Sequence, residues 1–126
     1  MNIRTLGEIC HECLTEEGSM TNQFSEIEKQ IIESSKALVF QLRGNQAVNG
    51  NAIIDIKLIN VLHEQLDIYK VHIENSQFVN KDIVGLLFYT CTRFYLQSKY
   101  SKNSSELIIQ FEKLYTKVLT LYTTNL

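Results

Sequence analysis

Residues 104–123 read SSELIIQFEKLYTKVLTLYT. Leu107, Phe111, Leu114, Val118 and Leu121 recur at spacings of four, three, four and three, which is the period of one face of an α-helix. A strand would alternate every second residue, and this stretch does not. Asn103 with Glu106 reads as a variant capping pair at its start. Ile108, Tyr115, Leu119 and Tyr122 lie on a second line beside the first. A single antiparallel neighbour needs only the first line. The second must meet another helix, a ligand or another chain.

Working back toward the amino terminus, Ser101-Lys102-Asn103 is a tight link, and before it residues 81–100 carry Val84, Leu87, Phe88, Cys91, Phe94 and Tyr95 on one helical face. Asn80 is the expected N-cap, and Asp82 suits the positive end of that helix's dipole. Residues 75–79 connect to a third helical segment, expected over 52–75, with Ile54, Leu58, Val61, Leu62, Leu66 and Tyr69 on its face. Its β-branched opening, Ile53, Ile54 and Ile56, resembles a strand, but the length of the pattern favours helix.

The stretch GNQAVNGN over 44–51 is the clearest break, because two glycines and three asparagines suit backbone with positive φ. Before it, residues 22–43 place Phe24, Ile27, Ile31, Leu38 and Leu42 on one stripe, with Ser34 or Ser35 filling the gap. Ser25 and Glu28 have capping-box spacing, with Thr21 or Asn22 as earlier alternatives. A short first helix is expected over 3–15, with Ile3, Leu6, Ile9 or Cys10, and Cys13 on one side, stopped at Gly18-Ser19. There is no linker and no internal repeat. The expected fold is therefore all-α: one domain over 1–126, a bundle of about five helices, four long and one short.

The bulk composition agrees. With 126 residues, 44% of them hydrophobic and 21% charged, the chain has the size and balance of one globular domain able to bury a core without disulfides. The absence of proline leaves the helices uninterrupted. Twelve bases against fourteen acids, a net charge of −2, argue against a generalised nucleic-acid or anionic-membrane binder. The opening Met1-Asn2-Ile3-Arg4 lacks the basic-then-apolar order of a secretory signal. The longest apolar runs, such as 84–88, are far short of the ~18 residues of a membrane helix. Three cysteines, an odd number, suit reduced thiols, so a cytoplasmic location is expected.

Few residues suggest chemistry. Cys10-His11-Glu12-Cys13 has the spacing of half a zinc site or a redox pair. Two further ligands would have to come from Cys91, His63 and His72, which stand apart, and no strand precedes the motif. Both cysteines also fall at core spacing, so a structural role is expected. His63 and His72 are nine residues apart and face opposite ways on a helix. His63 with Asp67 one turn on has the spacing of an acid–base pair, or of an ordinary hydrogen bond. Tyr89, Arg93, Tyr95, Lys99, Tyr100 and Lys102 mix bases with aromatics as single-stranded nucleic-acid binders do, but helical spacing divides them between faces. No glycine-rich phosphate loop, Ser-His-Asp order or paired acidic motif occurs. The expectation is a non-enzyme with no metal and no cofactor.

Charge is unevenly placed. Residues 1–33 hold seven acids and two bases, net −5, and residues 34–126 hold ten bases and seven acids, net +3. Such asymmetry supports head-to-tail docking within the bundle or electrostatic steering of a partner. Together with the double stripe, it points to a small regulatory or interaction protein, an inhibitor, adaptor or immunity-type factor, that binds another protein or itself, homodimer included. The expected interface is Tyr115, Tyr122, Leu119 and Ile108, where tyrosines offer a large apolar body and a hydroxyl that tolerates water. The alternative is a sensor for a small hydrophobic ligand such as a fatty acid, held by the Phe- and Tyr-rich last two helices. Neither nucleic acid nor membrane is an expected partner.

Overall fold

A computed structural model describes residues 24–43 and 50–123 of the chain. They form four helices, α1 (Glu26–Arg43), α2 (Ile56–Ile73), α3 (Lys81–Ser98) and α4 (Ser104–Tyr122), and no strand occurs among the described residues. The expected all-α bundle is borne out. The short helix expected over 3–15, with Cys10 and Cys13, lies outside the described residues, as do the alternative caps Thr21 and Asn22.

Side-chain contacts fix the helix directions. Near the start of α1, Glu28 accepts a hydrogen bond from Tyr69 near the end of α2. At the other end, Gln41 donates to Asp55, which precedes α2. These helices are therefore antiparallel. The Lys117–Asp67 ion pair joins the later halves of α4 and α2, so those two run parallel. Around the ring the order is α1, α2, α4, α3, with α1 and α4 across one diagonal and α2 and α3 across the other. Residues 74–80 thus cross the end of the bundle, whereas 99–103 make a short turn between adjacent helices.

Local chemistry sets the helix ends. The Ser25 N–H donates to Glu28 Oε1 at 2.9 Å and the Glu28 N–H donates to Ser25 Oγ at 3.3 Å, a complete capping box, so α1 begins at Glu26 rather than at 22. Asn80 caps α3 as its sequence suggests, its Oδ1 accepting from the Asp82 N–H at 2.9 Å. α2 starts later than expected, at Ile56, because Asp55 caps it by accepting from the Leu58 N–H at 3.0 Å. Residues 52–55 precede the helix, so Ile53 and Ile54 of the β-branched run lie outside it and Ile56 opens it.

The Asn103–Glu106 capping pair does not form, since Asn103 makes no side-chain cap bond to α4. Its amide faces the other way. Oδ1 accepts from the Ala52 N–H at 2.8 Å and Nδ2 donates to the Ala52 carbonyl at 2.9 Å, so one side chain satisfies both backbone groups of a buried residue. Beside it, the Lys102 N–H donates to the Gly50 carbonyl at 2.7 Å. Gly50 has φ +85°, the left-handed backbone its loop sequence suggests.

The core gathers one line from each helix. Ile31 and Leu38 of α1, Leu62 and Leu66 of α2, Ile83 and Leu87 of α3, and Leu107, Leu114 and Val118 of α4 are almost fully buried. Burying each such side chain contributes about 1.5–3 kcal/mol. On α1 both Ser34 and Ser35 are buried, so each of the two fillers is used. On α2 the buried line is Ile59, Leu62, Leu66 and Tyr69, and Val61 is 41% exposed instead of facing inward. Its position, 200° around the helix from Ile59 at about 100° per residue, turns it outward. Tyr95 of α3 is likewise largely outside the core.

Candidate functional site

The outer seam between α3 and α4 is lined by rings. Phe88 and Tyr95 lie seven residues apart on α3, two helical turns, and Phe111 and Tyr115 lie four apart on α4. Because the helices are antiparallel, Phe88 meets Tyr115 and Tyr95 meets Phe111. Phe88 and Tyr115 pack edge to face at 6.2 Å between centroids, Tyr95 and Phe111 lie 5.4 Å apart and tilted, and Phe111 stacks on Tyr115 at 5.4 Å with 20° between planes. All are separations at which aromatic pairs attract. At the Tyr95 end, the Lys99 ammonium sits 4.7 Å over the Tyr95 ring, a cation–π contact.

These rings, with Cys91 and Thr92, bound an open cleft of about 320 Å³. Cys91 closes its floor. Burial pushes its thiol pKa up to about 12, so it carries no thiolate near neutral pH and serves as a small apolar residue. Thr92 is exposed at the rim, and its hydroxyl is occupied by donating to the Phe88 carbonyl at 2.9 Å. The cleft offers no charged or free nucleophilic group. It can accept a flat apolar or aromatic body.

The four expected interface residues divide here. Tyr115, 39% exposed, is a wall of the cleft, and Ile108 and Leu119 are half-buried on the same flank of α4. Tyr122 sits apart at the end of the bundle. Its hydroxyl is buried in the electrostatic reach of Tyr69 and Glu28, and burial pushes its pKa up to about 12. Tyr69 donates to Glu28 Oε2 at 3.1 Å, and burial is the main cause that raises its own pKa. Phe88 and Tyr95 belong to the site although the spacing reading assigns them to the core stripe. Their position on the edge of that stripe, next to Thr92, is the signal that marks them.

The other candidates are not brought together. Asp67 pairs with Lys117 at 2.7 Å, and His63 Nε2 is buried without a hydrogen-bond partner, so His63 and Asp67 form no acid–base dyad. Burial first, and Lys117 next, lower the His63 pKa. His72 is exposed on another face. No group of three or more His, Cys, Asp or Glu that could hold a metal occurs among the described residues. The Cys10–Cys13 motif lies outside them. In the basic–aromatic set, Tyr95 and Lys99 face the α4 side while Tyr89 lines the α1 side, and Lys102 packs by Gly50. No helix among the described residues is long and apolar enough to cross a membrane. No family model, curated protein or solved structure matches this chain.

Proposed function

We propose that this chain works by binding protein rather than by catalysis, as a small helical regulatory or adaptor module that docks through the α3/α4 cleft. The observation that carries the reading is the continuous run of rings Phe88–Tyr115–Phe111–Tyr95, built by two helices and left partly open to solvent. Aromatic residues held rigid by their own packing lose little entropy on contact, which makes them efficient anchors. The partner we infer is a second copy of the chain. A two-fold contact must be self-complementary, and a cleft lined by rings, Cys91 and Thr92, with no charged side chain in that lining, meets its own image without like charges opposed inside it.

Sedimentation equilibrium on the full chain tests this. Thr92→Glu places a charge in the cleft at an exposed helix position and leaves the core untouched. Loss of self-association is the expected result, with a melting temperature equal to that of the wild type at dilutions where the wild type is monomeric. Tyr115→Ala removes an anchor from each copy, so at ~2 kcal/mol per anchor the two-fold contact should weaken on the order of 1,000-fold. A wild-type chain that stays monomeric at high concentration, or association indifferent to Thr92→Glu, overturns the reading.

A small hydrophobic ligand is the second reading, favoured by the cleft volume of about 320 Å³, at the low end of roughly 300–1,000 Å³ for ligand pockets. Native mass spectrometry separates the two, because a co-purified small molecule adds a few hundred daltons and a second chain doubles the mass.

A further inference from the structure

On the opposite flank of α3 a second groove runs between α1 and α3, about 640 Å³, lined by Lys36, Val39, Phe40, Arg43, Leu86 and Tyr89. Phe40 is 78% exposed and Tyr89 42%, so the floor is apolar and open. Two bases and no acid line it, and neither Lys36 nor Arg43 has an ion-pair partner among the described residues. An occupant that satisfies this groove is therefore apolar on one side and acidic overall.

The chain contains such a segment. Residues 1–23 carry Glu8, Glu12, Glu16 and Glu17 against Arg4 alone, a net charge of −3, with Ile3, Leu6, Cys10 and Cys13 at helical spacing. We infer that residues 3–15 of the same chain dock in the α1/α3 groove, apolar side against Phe40 and Tyr89 and acids toward Lys36 and Arg43.

The reach is sufficient. From the start of α1 to Lys36 is ten residues, about 15 Å of helix, and to Arg43 about 26 Å. The ten residues 16–25 span up to roughly 33 Å when extended. A helix over 3–15, about 20 Å long, then covers the groove with length to spare. Docked so, it runs antiparallel to α1 and shields the apolar floor that the four-helix ring leaves uncovered.

Paramagnetic relaxation on the full chain tests the docking. A nitroxide is attached at His11→Cys, on the polar side of the segment, in a Cys10→Ala, Cys13→Ala background that keeps the docking side apolar. Cys91, 1% exposed, stays unlabelled. The amide signals of Phe40, Arg43, Leu86 and Tyr89 should lose most of their intensity, while Ile68 and Val71 on the outer face of α2 keep theirs. Lys36→Glu with Arg43→Glu, both at exposed positions, should restore the lost signals, and Glu8→Lys with Glu12→Lys in the same chain should suppress them again. Relaxation spread evenly over all four helices, or absent from the groove, overturns the inference. So does strong groove relaxation on ¹⁵N-labelled chains that carry no nitroxide, mixed with spin-labelled chains at natural isotope abundance, since the segment then acts between molecules.

Discussion

Replacing Asn103 by Asp separates two roles that the sequence alone assigns to the same residue. As the N-cap of α4, Asp is as good as Asn, and its charge at a helix N-terminus adds roughly 0.3–1 kcal/mol. A capping role therefore makes Asn103→Asp neutral or stabilising. In the structure, Asn103 instead clasps Ala52 with bonds of 2.8 and 2.9 Å. Asp keeps the acceptor but turns a second oxygen toward the Ala52 carbonyl. One hydrogen bond worth about 1 kcal/mol is lost, and a buried carbonyl is left unpaired at a cost of about 1–3 kcal/mol. Asn103 is half-buried, so water relieves part of this, and the expected loss is about 2 kcal/mol. That is a sizeable share of the roughly 5–15 kcal/mol that holds a domain folded. Asn103→Ala, which removes both bonds, should cost more than Asp, and Asn103→Ser should fail to rescue although serine caps well. Urea unfolding followed by circular dichroism, with midpoint and slope both recorded, measures the series. An Asp variant as stable as wild type would refute the clasp and return Asn103 to the cap.

Three further outcomes are expected. Gly85 lies within α3 where a Cβ meets nothing within 4 Å, so Gly85→Ala should stabilise by about 0.5–1 kcal/mol in thermal unfolding; a lower melting temperature would contradict it. With Cys10 and Cys13 replaced by Ser, the buried Cys91 should resist an aromatic disulfide reagent at pH 8 in the native chain and react fully in denaturant, and prompt native labelling would show the thiol accessible. His63 has a folded pKa below its ordinary value of about 6.5, so the unfolded chain binds more protons and stability falls as pH drops below about 6.5 toward the folded pKa. His63→Gln should flatten that fall, and an unchanged pH profile of the urea midpoint would remove His63 as its cause.

Periodicity made the helices legible because each buries one stripe against the centre: α4 keeps Leu107, Leu114, Val118 and Leu121 buried as its spacing requires. Caps were legible where the bond is local, as with Ser25–Glu28 and Asn80–Asp82. Asn103 escaped because its partner is 51 residues away, and no local pattern encodes a bond of that separation. The start of α2 was misjudged because the run from Ile53 to Ile56 satisfies helical spacing and strand propensity together, and Asp55 decides between them through its bond to Leu58. The cleft was half legible. Tyr115 stood out on a second stripe, whereas Phe88 and Tyr95 fit the core stripe of α3 and are turned outward only by where α4 comes to rest.

α3 joins these observations. Residues 83–92, IVGLLFYTCT, contain no charged side chain, and a helix with so uninterrupted an apolar stretch is expected to be covered on more than its core side. The ring order gives it two neighbours, α1 and α4, and each contact leaves a groove open at its outer edge: Leu86 and Tyr89 on the α1 side, Phe88 and Tyr95 on the α4 side. The two grooves share no lining residue, so both can be filled at once. They differ in charge, since Lys36 and Arg43 rim the first and neither base rims the second. Ionic strength therefore acts on them in opposite directions. Screening at about 0.5 M salt, where the Debye length falls to roughly 4 Å, weakens the hold of an acidic segment on the α1 side. Contacts between rings on the α4 side keep their strength or gain from a strongly excluded salt such as sulfate. The inferred docking and the proposed self-association together predict that rising salt releases residues 3–15 while the chain remains associated, and loss of both at the same salt concentration would contradict two separate surfaces.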